Sequence, residues 1–329
     1  MKHFFLSLAF ALALIFFPQN KPSSEESVCF FSNQNHDDLK RGICSFIEGA
    51  EKEICIAVFS LSDPSFIKKL NQKAKEGLKI SLLVDAKNCW NVKKKLDPNI
   101  SFIEKKSEGL MHLKVCIVDE KKVWLGSSNL TRESLRMHDN LVAIIDDPKL
   151  ALFYKKHISA LSFDSKRKEY NETYCSNDLK IEAINLPNKK AAEKMTLKMI
   201  HSAKKTLDLA IFTFTKLDYA IALVDAQKRG VRVNVFFEKN SAMGSGKKIM
   251  RYLLEHRVPL YLSRGPKLLH HKFLFIDGEK LLMGSANWTN AAISKNNDCL
   301  LRFEGLSQKQ QKSLYSVCKQ LKQESKQIF

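Results

Sequence analysis

Residues 53–87 read EICIAVFSLSDPSFIKKLNQKAKEGLKISLLVDAK, and residues 206–240 read TLDLAIFTFTKLDYAIALVDAQKRGVRVNVFFEKN. Each stretch begins and ends with a short apolar run rich in β-branched and aromatic residues, which is typical of a buried strand. Between these runs, apolar residues recur every three to four positions and stop at Gly77 or Gly230, which predicts a helix. Because the turns are short, each unit predicts two parallel strands joined by a right-handed crossover.

The two stretches are copies of one pattern. Ala57 matches Ala210, Phe59 matches Phe212, and the acidic residue that closes each copy is Asp85 or Glu238. A self-similar sequence of this kind predicts a repeated structural unit. We therefore expect an α/β fold built from two repeats, each with its own sheet and helices.

A second matched pair follows the first. Residues 112–129 read HLKVCIVDEKKVWLGSSN, and residues 270–287 read HHKFLFIDGEKLLMGSAN. Both fit the pattern His-x-Lys-x4-Asp-x6-Gly-Ser-x-Asn. The spacing makes His270, not His271, the counterpart of His112. His271 corresponds to Leu113, and we expect it to have a structural role.

The strand period indicates which of these side chains act together. Alternate residues of a strand face the same side, so His112 shares a face with Lys114, and His270 shares one with Lys272. Each copy thus offers an imidazole and an ammonium at the open end of a buried strand. The motif aspartates, Asp119 and Asp277, follow their histidines at an odd offset. This favours a turn or structural role for them.

The end of each motif supplies further polar groups. A hairpin within each copy would bring Asn129 near His112 and Asn287 near His270. Amide and hydroxyl donors beside a lysine suit the oxygens of a phosphate, and the donors expected here are Ser127, Asn129, Ser285 and Asn287. Asp139 and Asp298 stand before the next strand, where a carboxylate can accept the second imidazole N–H and fix the tautomer.

Composition narrows the classes of function. The chain has 329 residues, is 44% hydrophobic, and carries 54 Lys plus Arg against 35 Asp plus Glu, a formal charge of +19. It can bury a core, which excludes a disordered tail. A basic surface attracts nucleic acid, anionic lipid or phosphate-bearing substrates, although a lysine-rich composition alone gives the same charge. The eight cysteines form no cluster with histidine of the zinc-binding kind, so we expect no metal and no cofactor.

The first 20 residues have the features of an export signal. Lys2 precedes Phe4–Phe17, a run without a charged residue that is shorter than the roughly 20 residues of a membrane span. An uncleaved anchor is the alternative, because no small-x-small cleavage site follows. We expect an exported protein that is secreted, periplasmic or membrane-associated.

These observations give a plan of the chain. The expected segments are a signal peptide or anchor at 1–20, a first repeat at 36–160, a polar linker at 161–182, a second repeat at 183–305 and a basic C-terminal helix at 306–329.

The paired motifs resemble those of the phospholipase D superfamily, which is named for its HKD motif. The resemblance covers most of residues 36–305 and is very specific at 112–129 and 270–287. It implies that each repeat is a mixed β-sheet flanked by helices. It also implies that the repeats pack about a pseudo-twofold axis with one shared active site. Because both motifs lie in one chain, we expect a monomer that needs no partner protein.

The resemblance also implies roles for the site residues. His112 would attack phosphorus to give a phosphohistidine, and His270 would protonate the leaving alcohol and then activate water or another alcohol. Lys114 and Lys272, with the serines and asparagines above, would hold the phosphoryl oxygens. Asp119 and Asp277 complete the catalytic motif, and Asp139 and Asp298 fall where the small bacterial nucleases have a histidine-orienting acid.

Three functions remain open at this point. A phospholipid substrate is favoured by the export signal and by apolar residues before each histidine, namely Leu110, Met111, Leu268 and Leu269. A non-specific nuclease is favoured by the charge and the basic loops. A non-catalytic protein that binds phosphate or a polyanion is disfavoured, because both copies keep His and Lys. We favour a phospholipase D-like phosphodiesterase acting on a membrane surface, ahead of a nuclease acting on DNA or RNA.

Overall fold

The computed structural model describes residues 26–89, 91–163, 173–176 and 180–329. The expected signal segment at 1–20 lies outside the described residues. Among the helices that are described, none is long and apolar enough to cross a membrane.

The first repeat forms a mixed sheet in the order β1-β7-β6-β5-β2-β3-β4. Strands β2, β3 and β4 are parallel and the remaining neighbours are antiparallel, as the crossover and hairpin patterns predict. Within the described residues its seven strands are β1 (Val28–Ser32), β2 (Glu53–Val58), β3 (Lys79–Asp85), β4 (Ser101–Lys105), β5 (Lys114–Val118), β6 (Lys122–Gly126) and β7 (Leu141–Asp146).

The second repeat forms a sheet in the order β16-β12-β11-β10-β13-β14-β15-β9-β8. Its central seven strands copy the first sheet, and β8 and β16 extend its two edges. In the described part of the chain these nine strands are β8 (Thr173–Ser176), β9 (Ile181–Asn185), β10 (Thr206–Ile211), β11 (Arg232–Phe237), β12 (Leu260–Ser263), β13 (Lys272–Ile276), β14 (Lys280–Gly284), β15 (Cys299–Glu304) and β16 (Ser325–Gln327).

The helices connect the strands and cover the sheets. Asp63 caps the crossover helix of the first repeat by accepting from the N–H groups of Ser65 and Phe66. The α-helices are α1 (Leu39–Glu48), α2 (Pro64–Lys75), α3 (Arg132–Arg136), α4 (Pro148–Ser162), α5 (Lys189–His201), α6 (Leu217–Lys228), α7 (Lys239–Met243), α8 (Lys247–Glu255), α9 (Asn290–Ser294) and α10 (Gln308–Glu324), and short 3₁₀ helices lie at Asn33–Asn35 and Lys93–Lys95.

The sheets pack in layers with the helices outside. One core lies between the two sheets and is completed by α4 and α10, with Val115, Ile117, Phe273 and Phe275 among its buried residues. A second core lies under α1 and α2, and a third under α5, α6 and α8. This is the predicted mixed α/β architecture of two flanked sheets, and it buries the apolar strands on both faces.

The ends of the repeats differ from the expected plan. Strand β1 begins at Val28, ahead of the start expected at residue 36, and pairs with β7. Residues 161–182 are not wholly a linker, because β8 and the first residues of β9 lie there and pair with each other. After α10, strand β16 pairs with β12. Strand β1 and its counterpart β9 thus belong to the repeat but begin ahead of the expected bounds, whereas β8 and β16 are additions to the second sheet.

The motif residues of each sheet lie at the edge that is formed by the ends of its central strands. Val58, the last residue of β2, pairs with Lys114, the first of β5, and Ile211 pairs in the same way with Lys272. The loops that follow β2 and β3 and precede β5 and β7 therefore meet at this edge. We call it the site edge of each repeat.

The two site edges are joined by four backbone hydrogen bonds. His112 N–H donates to Asn297 O at 2.8 Å, and Asn297 N–H donates to Leu110 O at 2.8 Å. In the same way His270 N–H donates to Asp139 O at 2.9 Å, and Asp139 N–H donates to Leu268 O at 2.8 Å. We call these the first and second junctions. Each repeat thus fixes the backbone of the other repeat's histidine.

Candidate active site

Each motif forms the same small cluster of side chains. Lys114 Nζ donates to His112 O at 2.6 Å, and its ammonium lies 5.1 Å from the centre of the Phe59 ring. That ring lies 5.0 Å from the imidazole of His112. An aromatic face beside a lysine adds a cation–π contact and excludes water from the ammonium.

The second motif repeats this cluster closely. Lys272 Nζ donates to His270 O at 2.7 Å and lies 5.1 Å from the centre of the Phe212 ring. The Phe212 and His270 rings are 5.1 Å apart. The histidines are only 6% and 7% exposed, for His112 and His270 respectively. The match of Phe59 with Phe212 was visible in the sequence, but its place at the site was not.

A carboxylate from the second repeat orients the histidine of the first. His112 Nδ1 lies 2.7 Å from Asp298 Oδ1, which also accepts from the Ser285 hydroxyl at 2.6 Å. Since a carboxylate bonded in this way accepts, Nδ1 carries the proton and the Nε2 lone pair of His112 stays available. Asp298 thus lies where a histidine-orienting acid is predicted, and it reaches His112 across the repeats.

The other histidine has a neutral partner. His270 Nδ1 lies 3.0 Å from Asn140 Oδ1, and Asn140 Nδ2 donates to Ser134 O at 2.8 Å and to His138 O at 3.2 Å. These donations fix the amide so that its oxygen faces the imidazole. His270 therefore also carries its neutral-form proton on Nδ1.

The orienting role predicted for Asp139 is wrong. Asn140 occupies the position that matches Asp298, since each stands equally far from the histidine of its own motif. Asp139 lies one residue earlier, where its backbone forms the second junction. Burial, and then the neighbouring Glu324, raise the pKa of Asp139 to about 7. The sequence signal for Asn140 is this constant spacing, which does not depend on the residue being a carboxylate.

The motif serines do not supply the phosphate donors predicted for them. The Ser127 hydroxyl donates to Asn140 Oδ1 at 2.9 Å and accepts from Leu141 N–H at 3.1 Å. The Ser285 hydroxyl donates to Asp298 Oδ1 at 2.6 Å and accepts from Cys299 N–H at 3.0 Å. Both hydroxyls therefore hold the groups that orient the histidines.

The motif asparagines remain available. Asn129 Oδ1 and Asn287 Oδ1 are buried and have no hydrogen-bond partner among the described residues. A matched pair of unpartnered amide oxygens is unusual in a folded protein, because buried polar groups are normally satisfied. These oxygens accept hydrogen bonds, so phosphate oxygens would be bound by the Nδ2 groups of the same amides. Phosphate binding by these two residues stays a prediction.

The motif aspartates are structural, so the catalytic role implied for them by the resemblance is wrong. Asp119 accepts the backbone N–H groups of Glu51, Lys52 and Glu53 at 2.8–3.0 Å. Asp277 accepts those of Lys204, Lys205 and Thr206 at 2.7–2.8 Å. Each stands at the far end of its strand with φ of 54°, and the odd offset from the histidine indicated this.

We expect Asp119→Ala to lower the free energy of unfolding by about 2–4 kcal/mol, because three charge-assisted bonds are lost and alanine disfavours a positive φ. Asp119→Asn tolerates that φ and should lose less. The pKa of Asp119 is lowered in the fold because three backbone N–H bonds outweigh burial. Its contribution is thus present above the unfolded pKa of about 3.9 and lost below it.

Urea unfolding of the two variants at neutral pH and near pH 3 measures this effect. A loss of turnover by folded Asp119→Ala protein, with its stability unchanged, would restore a catalytic role for the aspartate.

His271 is structural, as predicted. It is fully buried, and its Nε2 lies 2.8 Å from Gln34 Oε1. Burial lowers the pKa of His271 to about 3. A third histidine, His138, was not predicted at the site, and its ring lies 6.1 Å from that of His270. Cys55 and Cys116 are buried core residues.

Burial and mutual repulsion set the charges of the site. Burial lowers the pKa of Lys114 to about 7, although Asp298 opposes the shift. Burial and the adjacent Lys114 lower the pKa of Lys272 well below its ordinary value. The two lysines come from different repeats, and the contact of 2.7 Å between His112 and Asp298 joins those repeats at one site.

The pKa values of the two histidines respond to different charged neighbours in this buried site. Burial lowers the pKa of His112, but the charge of Asp298 opposes that shift. The pKa of His270 falls well below its ordinary value through burial, then through Lys272 and Lys114. Burial alone would raise the pKa of Asp298, yet His112, Lys114 and the Ser285 hydroxyl together lower it.

This arrangement suits a phosphoryl group. Two buried ammonium groups repel each other, and an anion bound between them would favour their charged forms and a protonated imidazole. Each imidazole has its Nδ1 proton held, which leaves Nε2 for attack on phosphorus or for proton transfer. A family model described as "Cardiolipin synthase, PLD-like domain" matches residues 43–162 and 196–323, which include both motifs.

The chain belongs to the phospholipase D superfamily.

Curated members of this superfamily are similar to part of the chain. A mitochondrial cardiolipin hydrolase of Chlamydomonas reinhardtii is 33% identical over 102 residues, which are 31% of this chain and 45% of that protein. A phospholipase D of Rickettsia bellii is 24% identical over 139 residues, 42% of this chain and 68% of that protein. The chain spans about half the length of the cardiolipin hydrolases that it matches.

A solved structure extends the likeness to the whole fold of this phospholipase D superfamily member. The phosphatidylserine synthase of Haemophilus influenzae has a TM-score of 0.71, covering 92% of this chain and 87% of that one. Its sequence is only 14% identical, so the likeness is one of fold.

Proposed function

We propose that this protein is a phosphodiesterase of phospholipase D type that hydrolyses phospholipids through a phosphohistidine on His112. The observation that carries the proposal is the contact of 2.7 Å between His112 Nδ1 and Asp298 Oδ1. It joins the two repeats into one site and makes His112 the more basic imidazole. A nucleophile held by an orienting acid can form a covalent intermediate.

In the first step, Nε2 of His112 attacks phosphorus and the bond to the leaving alcohol breaks. A protonated His270 donates its Nε2 proton to that alcohol oxygen. Lys114 and Lys272 neutralise the charge that develops on the phosphoryl oxygens, and Asn129 and Asn287 hold those oxygens by their amides. In this way the lysines supply the electrostatic stabilisation, and the mechanism needs no metal ion.

In the second step, neutral His270 takes a proton from water, and the water oxygen attacks phosphorus. The bond between phosphorus and His112 Nε2 breaks, and its electron pair returns to the imidazole. His270 is then protonated again and ready for the next cycle. Another alcohol in place of water would give transfer instead of hydrolysis.

A lipid substrate is supported by two observations. The relatives above are named as a cardiolipin hydrolase and a phospholipase D. In addition, Leu110 and Met137 are 37% and 51% exposed on the site edge of the first repeat. The proposal includes the location inferred from residues 1–20, namely outside the cytoplasm or on a membrane, and a monomeric enzyme.

The test is turnover by residues 21–329 in EDTA, with His112→Ala as the control. One assay follows headgroup release from mixed phospholipid vesicles, and a parallel assay follows cleavage of labelled single- and double-stranded DNA and RNA. Headgroup release that disappears in the variant is the expected result.

Cleavage of nucleic acid that disappears in the variant, without headgroup release, would replace the lipid function by that of a nuclease. Absence of turnover in every assay would contradict an enzymatic role on these substrates and favour a protein that only binds polyanions.

We expect kcat/KM to fall as pH rises through about 7. Lys114 must be charged to hold the diester, and its pKa of about 7 means that the charge is present below that pH and lost above it. The protonated form of His270 also decreases as pH rises. Because kcat/KM reports the free enzyme, profiles from about pH 5 to about pH 9 show this limb directly.

The limb in kcat should lie at higher pH, because the bound anion raises the pKa of Lys114 and of His270. A kcat/KM that stays level or rises between about pH 6 and about pH 8 would contradict these charge assignments.

A further inference from the structure

The two junctions carry an unusual combination of exposed side chains. At the first junction, Gly109 lies so close to Lys295 that a Cβ on it would meet the Lys295 backbone at 2.6 Å. Leu110, which is 37% exposed, therefore lies beside Lys295, whose side chain is 57% exposed. Leu110 and His112 alternate around buried Met111, so Leu110 points toward the same side as the histidine.

The second junction has the same composition. Met137 is 51% exposed and precedes His138, whose ring lies 6.1 Å from that of His270. The loop between β12 and β13, which pairs with Asp139 there, carries Lys267, whose side chain is 53% exposed. Each junction thus carries one exposed apolar side chain and one exposed lysine. We call Leu110, Lys295, Met137 and Lys267 the junction rim.

The charge around the rim is mainly positive. Lys295 has Glu108 at 3.4 Å and Lys267 has Glu324 at 3.9 Å, so each lysine has one acidic neighbour. The adjoining loops add the exposed cations Lys106, Arg136 and Arg264. Exposed ion pairs at such distances contribute little free energy, so the lysines can exchange these partners for another anion.

We propose that the junction rim docks the protein on an anionic lipid bilayer, with Leu110 and Met137 entering the headgroup layer and Lys267 and Lys295 contacting lipid phosphates. Apolar side chains ringed by lysines have the chemistry of an interfacial binding surface. Nucleic acid would need the lysines but would gain little from an aliphatic leucine or methionine. The inference rests on the proposed function, because docking there would present lipid diesters to the cleft.

The experiment measures flotation of the inert His112→Ala protein with vesicles, so that binding is read without turnover. Vesicles of phosphatidylcholine alone are compared with vesicles that include phosphatidylglycerol. Leu110→Ser with Met137→Ser is expected to weaken binding to the anionic vesicles at least about tenfold, because two partly buried apolar side chains are lost. Lys267→Gln and Lys295→Gln should each weaken it about fivefold.

Leu152→Ser is the matched control. Leu152 lies on α4, is 42% exposed and lines a cavity with Glu120. Glu120 stands in the turn between β5 and β6, which is at the opposite end of these strands from His112. Leu152→Ser should bind like the His112→Ala parent. Thermal unfolding of every variant shows that the fold is intact. If a serine pair misfolds, Leu110→Gln alone replaces it.

Equal binding by the serine pair and the parent would overturn the proposal, as would an equal loss in Leu152→Ser. Loss of vesicle binding in the lysine variants alone, with the serine pair binding like the parent, would also overturn it and indicate a purely electrostatic surface. Binding by the inert protein without headgroup release by the wild type would leave docking intact and reject the proposed function. Headgroup release by the wild type without rim-dependent binding would support the proposed function and reject docking through the junction rim.

Discussion

We expect His270→Ala to react once with an activated diester, whereas His112→Ala does not react at all. A substrate whose leaving alcohol is an aryl group that departs as an anion needs no general acid. In His270→Ala the nucleophile and its orienting Asp298 remain, with their contact of 2.7 Å. The first step then proceeds, but water is not activated, and the phosphoryl group stays on His112.

The measurement is a burst of about one equivalent of aryl alcohol, followed by mass spectrometry of the peptide that contains His112. His112→Ala should lower the steady-state rate by at least about ten thousandfold and show no burst. A burst in His112→Ala with an adduct on His270 would exchange the two roles. Absence of an adduct in either variant would contradict a covalent mechanism.

The second large effect is expected for Asp298→Asn, which should lower kcat/KM by about a hundredfold to a thousandfold. The variant amide can still accept from His112 Nδ1 and from Ser285, as Asn140 accepts from His270 and Ser127 in the wild type. The geometry is therefore retained while the charge that keeps His112 basic is removed. Loss of rate then reports the missing charge rather than a change of tautomer or misfolding.

Asn140→Asp is the matched comparison. A carboxylate beside His270 would raise its pKa, so the alkaline limb of kcat/KM should move to higher pH, with a rate change smaller than that of Asp298→Asn. Unfolding in urea shows that both proteins fold. If Asn140→Asp lowers kcat/KM as much as Asp298→Asn does, without moving the alkaline limb, the assignment of His112 as nucleophile and His270 as acid is wrong.

The sequence predicts the parts of this site that follow from local periodicity. The repeat, the hairpins β5–β6 and β13–β14, and the face shared by His112 and Lys114 are all consequences of strand period and spacing. The odd offset of Asp119 also predicted its turn position correctly. Each of these inferences uses residues a few positions apart, where the backbone alone fixes direction.

The errors concern partners that tertiary structure selects. Asn140 and Asp298 reach histidines in the opposite repeat, and no local pattern shows which of Asp139 and Asn140 points there. Ser127 fills the hydrogen-bonding capacity of Asn140 instead of facing the cleft. The edge strands β8 and β16 have no counterpart among the described strands of the first sheet, so self-similarity could not outline them.

Strand β1 determines how a tethered molecule would be oriented. Val28 pairs with Ile145, near the end of β7 farthest from the cleft, and Asp146 N–H donates to Ser27 O at 2.8 Å. A tether attached ahead of Glu26 therefore leaves from the back of the molecule. Attachment by that end would therefore leave the cleft free to meet a lipid surface, so that tethering and catalysis take place at opposite ends of the molecule.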